Sequence, residues 1–75
     1  MNLIVTLIDK PGSLKMLTNI FEDLNANIVQ IDYDRNSVAL DFGDANVTIG
    51  LETKGDEHQK EILDALRKNG YRINL

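Results

Sequence analysis

Six consecutive residues, Asp9-Lys10-Pro11-Gly12-Ser13-Leu14, join an apolar segment to an amphipathic one through a Pro-Gly corner. Proline has no N–H to lose and its fixed φ suits a first helical turn, while glycine lets another molecule approach the main chain closely. The free N–H groups of such a turn, backed by the positive end of the helix dipole, can hold a carboxylate or a phosphate. An ordinary strand-to-helix turn uses the same residues, so the local sequence leaves both readings open. Ser13 is open in the same way, because its hydroxyl can cap the helix or touch a ligand. Asn27, where the chain leaves the helix, offers an amide donor and acceptor and is equally suited to be a plain turn residue.

The elements that must position these groups follow from periodicity. From Asn2 to Asp9, Leu3, Val5 and Leu7 alternate with Ile4, Thr6 and Ile8, a strand apolar on both faces and so expected at the centre of a sheet. Leu14, Leu17, Phe21 and Leu24, with Ile20 alongside, recur at helical spacing, and Asn25-Ala26-Asn27 suits the helix end. Ile28 to Arg35 predicts a half-buried strand, with Val29, Ile31 and Tyr33 toward the core and Gln30, Asp32 and Asp34 away from it. Asn36 to Gly43 is a loop. A third strand places Ala45, Val47, Ile49 and Leu51 inward, with Gly50 as a bulge or close-approach point. Gly55-Asp56-Glu57 opens a second helix whose stripe is Ile62, Leu63 and Leu66, and Lys68-Asn69-Gly70 stops it. Tyr71 to Leu75 alternates as a closing strand.

The order βαββαβ predicts an α+β, ferredoxin-like fold: a four-stranded antiparallel sheet with both helices on one face. The other face is then open, with Ile4 and Ile8 among Gln30, Asp32, Thr48 and Glu52, a mixture suited to a partner. A right-handed crossover makes the first two strands parallel, so Asn27 lies at the opposite end of the sheet from Gly12. A helix of about a dozen residues separates these ends by roughly 18 Å, more than one small molecule spans. Two copies related by a two-fold axis, with their strands antiparallel, bring the Pro-Gly turn of one to Asn27 of the other. The predicted ligand site is therefore shared between two copies.

Composition narrows the alternatives. A chain of 75 residues without cysteine has neither disulfide nor zinc to reinforce a small core, so self-association is expected. The absence of cysteine and of any long apolar run fits a cytoplasmic protein with no membrane span. The net charge of −4 and the lack of a basic stripe argue against nucleic acid. The aromatic residues Phe21, Tyr33, Phe42 and Tyr71 stand singly, which makes no base-stacking platform. Asp32, Asp34, Asp41 and Asp44 follow no calcium-loop spacing, so no metal site is expected. His58, the only histidine, reads as exposed helix surface, and Arg35 as the partner of a neighbouring or loop carboxylate. An acylphosphatase-like enzyme on this fold would need an arginine in the first turn, where Lys10 is the only basic residue.

The turn Asp9 to Leu14, followed after one helix by Ala26-Asn27-Ile28, resembles the signature of ACT domains. Asp34-Arg35-Asn36-Ser37, Leu51-Glu52-Thr53-Lys54-Gly55 and Leu66-Arg67-Lys68-Asn69-Gly70-Tyr71 are similar to the C-terminal ACT domain of catabolic, single-ACT threonine dehydratases. The resemblance runs over nearly the whole chain. It implies a regulatory domain without catalytic residues or a cofactor of its own, a fragment that pairs with another copy and passes amino-acid binding to a pyridoxal-phosphate-dependent lyase domain. It carries the effector-binding loop onto Asp9, Lys10, Pro11, Gly12, Ser13 and Leu14, and the partner segment onto Asn27 and Ile28. Serine-sensing members of the broader family have a histidine where this chain has Leu7, so the resemblance favours isoleucine or valine as effector. A dimerisation domain without an effector, and a freestanding sensor, are the alternatives.

Overall fold

The computed structural model describes residues 1–35 and 43–74. Six elements follow in the order β1 (Asn2–Ile8), α1 (Ser13–Asp23), β2 (Asn27–Asp34), β3 (Asp44–Glu52), α2 (Asp56–Lys68) and β4 (Arg72–Asn74). The sheet runs β2-β3-β1-β4 with every neighbouring pair antiparallel, which is the ferredoxin-like βαββαβ arrangement. The expected loop from Asn36 lies outside the described residues except for Gly43, as does Leu75 at the end of the closing strand.

Register explains which face each residue takes. Leu3, Val5 and Leu7 stand opposite Ile49, Val47 and Ala45, all buried, and the same cluster takes in Leu17 and Phe21 from α1 and Ile62 and Leu66 from α2. Both helices therefore cover one face, and Leu63 is only half-buried at its margin. The opposite face carries Ile4 and Ile8, 36% and 60% exposed, with Thr6 donating to Asn46 Oδ1 at 2.9 Å and Arg72 pairing with Asp44 at 3.1 Å.

The helices end by local rules. Asn25, at φ 58°, closes α1: its N–H donates to the Glu22 carbonyl and that of Ala26 to Phe21. The same pair of bonds ends α2, from Gly70 to Arg67 and from Tyr71 to Leu66, so the last carbonyls are satisfied in both places.

One sequence expectation fails. Val29, Ile31 and Tyr33 do not meet the core; they are 57%, 39% and 36% exposed. Ile31 and Tyr33 stand opposite buried Ile49 and Val47 and so share the helix side, but β2 is an edge strand that only α1 reaches. A bulge between Ile28 and Gln30 makes Val29 the extra residue. Gly50 faces this bulge, and a Cβ there would lie 3.1 Å from Asn2 Oδ1 and 3.2 Å from Gln30 Cβ. Gly50 is thus the close-approach point, while the irregularity is in the facing strand.

Candidate functional site: the turn between β1 and α1

Gly12 caps α1 at φ 87°, a conformation that costs residues with a Cβ roughly 1–2 kcal/mol. The cap has no side-chain hydrogen bond, and the first turn holds no acidic residue, in contrast to α2, which carries Asp56 and Glu57 there. Ser13 is the first helical residue and does not cap. Its N–H donates to the Lys10 carbonyl at 3.3 Å, and the Met16 N–H closes the first turn on Gly12. Those of Gly12, Leu14 and Lys15 find no backbone acceptor among the described residues. An anion at this mouth would meet the N–H groups of Gly12 and Leu14 rather than that of Ser13.

The turn opens onto a groove of about 660 Å³ lined by Asp9, Lys10, Pro11, Gly12 and Leu14, with Tyr33 and Arg35 from the end of β2. Tyr33 donates its hydroxyl to Asp9 Oδ1 at 2.7 Å, and Arg35 Nε lies 3.6 Å from Asp9 Oδ2. The Arg35 guanidinium also sits over the Tyr33 ring, 5.6 Å from its centroid. Asp9, by accepting the phenolic hydrogen bond, raises the Tyr33 pKa; desolvation and the carboxylate charge add to this, and Arg35 opposes it.

The remaining residues singled out from the sequence are elsewhere. Ser13 is buried and faces a separate hollow of about 260 Å³ beside Leu7, Met16 and Tyr71. Asn27 stands at the other end of the sheet, opposite Glu52, to which its amide donates at 3.1 Å. Ile28 is half-buried against the core. Within one chain, then, the structure gathers five of these residues at the turn and leaves Ser13, Asn27 and Ile28 outside the groove.

Sequence reasoning missed Tyr33 as a groove residue. The usable signal was topological: β1 and β2 are parallel, so Asp9 and the end of β2 lie at the same end of the sheet. His58 was also misread. It is half-buried, its Nδ1 accepts the Lys54 N–H at 2.9 Å, and its Nε2 lies 2.6 Å from the Leu24 carbonyl. A ring nitrogen that accepts an amide proton carries none, so Nε2–H is the donor to Leu24. The histidine ties the end of α1 to the start of α2. Among the described residues no three His, Cys, Asp or Glu side chains converge on a metal position, and no helix is long and apolar enough to cross a membrane.

The fold has solved counterparts. The ACT domain of prephenate dehydrogenase from Bacillus anthracis superposes with a TM-score of 0.73 at 20% identity, covering 99% of this chain and 100% of that one. The fold is therefore that of an ACT domain. No family model matches the chain. Its sequence is 39% identical over 71 residues to L-threonine ammonia-lyase of Geobacter sulfurreducens, and 32% identical over 69 residues to the enzyme of that name from Thermotoga maritima. These alignments take in 95% and 92% of this chain but only 18% and 17% of the relatives' length. The chain thus has the fold of an ACT domain and resembles, in sequence, a short part of the threonine ammonia-lyases.

Proposed function

We propose that this chain is an amino-acid-sensing regulatory domain that acts as a two-fold pair and biases the catalytic portion of a threonine ammonia-lyase. The observation that carries this reading is the position of the groove: a helix mouth with unused N–H groups opens beside the exposed edge of β2. Among the described residues no strand pairs with the outer side of β2, and Val29, Ile31 and Tyr33 are exposed on it, a surface suited to a second strand. If two β2 strands pair antiparallel about their midpoint, Asn27 of one copy falls opposite Asp34 of the other, next to Arg35 and the turn. Each of two equivalent sites then draws on both copies.

Leu14 and Pro11 give the groove an apolar wall, which fits a branched apolar effector such as isoleucine or valine. Such an effector regulates only if it binds two arrangements of the paired domains unequally. The chemistry, with any pyridoxal phosphate, belongs to the larger part of the parent enzyme.

Calorimetric titration of isoleucine, valine, threonine and serine tests the proposal, with Gly12→Asp and Asn27→Ala as controls. Binding of a branched amino acid that both variants abolish is the expected result; undiminished binding in both refutes the site. The exposed apolar edge favours a second reading, a dimerisation domain that needs no effector. In that case sedimentation gives a dimer that no amino acid alters.

A further inference from the structure

The groove holds two opposite charges side by side, and this pair points to how a ligand is read. Asp9 and Arg35 approach to 3.6 Å, longer than the 2.7–2.9 Å or so of a good charge-assisted hydrogen bond, and the Arg35 side chain is 63% exposed. An ion pair this long and this wet is held weakly and separates at little cost. Tyr33 meanwhile fixes Asp9 from the other side, so the carboxylate stays aimed into the groove when Arg35 leaves it. Stacked over the Tyr33 ring, the guanidinium keeps its donor fork available at the groove wall.

A free α-amino acid carries an ammonium and a carboxylate on one carbon, the same two charges with the same neighbourhood. We propose that, in the effector site inferred above, Asp9 takes the ammonium and Arg35 the carboxylate of a zwitterionic amino acid, each giving up the other. The mouth of α1 stands beside the carboxylate position, and Pro11 and Leu14 face the side chain. A simple anion such as phosphate is disfavoured by the Asp9 charge, and a simple amine by Arg35 and Lys10. The site is therefore selective for a molecule that carries both charges.

The test compares isoleucine with isoleucinamide, which lacks the carboxylate charge, and with 3-methylpentanoate, which lacks the ammonium. Calorimetry on the full 75-residue chain is expected to give about a tenfold preference for the acid over the amide, the worth of one charge-assisted contact. Arg35→Gln brings that ratio close to one, and Arg35→Lys retains part of it. Asp9→Asn likewise removes the preference for isoleucine over 3-methylpentanoate while leaving the acid-to-amide ratio in place. Isoleucine binding with an acid-to-amide ratio unchanged in Arg35→Gln overturns the role of Arg35 and leaves the effector site standing. A wild-type chain that binds no amino acid removes the effector site and this inference together.

Discussion

Replacing His58 probes the joint between the two helices. The ring accepts the Lys54 N–H and donates to the Leu24 carbonyl, at 2.9 Å and 2.6 Å, so His58→Phe deletes two hydrogen bonds while keeping an aromatic ring in place. Each neutral bond contributes about 1 kcal/mol net. The Lys54 bond is exposed and its N–H regains water, whereas Leu24 is half-buried and its carbonyl recovers less. The sum is about 1.5–2.5 kcal/mol of lost stability. In a domain of this size each kcal/mol lowers the melting temperature by about 4–8 °C, so the midpoint drops by roughly 6–20 °C. Thermal unfolding followed by circular dichroism reads this directly, at one fixed protein concentration because self-association would also shift the midpoint. His58→Ala should lose the same two bonds and some packing besides. A change in His58→Phe within about 0.5 kcal/mol of wild type, the usual range for a plain surface substitution, refutes the joint.

Three further outcomes follow from the packing and the site. A phenol whose pKa is raised by folding stabilises the native state below its unfolded pKa and loses that contribution as pH rises through the native one. Wild type should therefore lose stability above the ordinary tyrosine value of 10.0 by an increment that Tyr33→Phe lacks, read by denaturant titration across that range. Phe21→Ala empties a fully buried position and costs about 3–5 kcal/mol, close to the whole stability of so small a domain, so cooperative unfolding should vanish from the thermal trace. Ile31→Lys places a charge on the exposed β2 edge and should shift sedimentation toward the monomer with the fold unchanged; an unaltered dimer excludes that edge as the interface.

Much of this architecture was legible in the sequence because it is local. Period-two and helical repeats located every described element within a residue or two, and Asn25 and Gly70 marked helix ends that do close on the expected bonds. The placement of β2 was not legible, since Val29, Ile31 and Tyr33 alternate in the same way whether a helix covers them or not. Its bulge is visible only against Gly50 in the neighbouring strand. At the site, the turn from Asp9 to Gly12 announced itself through Pro and Gly, but the Tyr33 hydroxyl reaches Asp9 across 24 positions of sequence. His58 looked like surface for the same reason, its Leu24 acceptor being 34 positions away.

The central claim, that each effector pocket is completed by a second copy, is tested most directly by mixing two inactive variants. Gly12→Asp and Asn27→Ala chains, each silent alone in the calorimeter, are unfolded together in equal amounts and refolded. Half of the resulting dimers pair one chain of each kind and contain one intact turn facing one intact Asn27, so about a quarter of the wild-type binding capacity returns. A mixture that stays silent, or an Asn27→Ala chain that binds as well as wild type alone, contradicts the shared pocket.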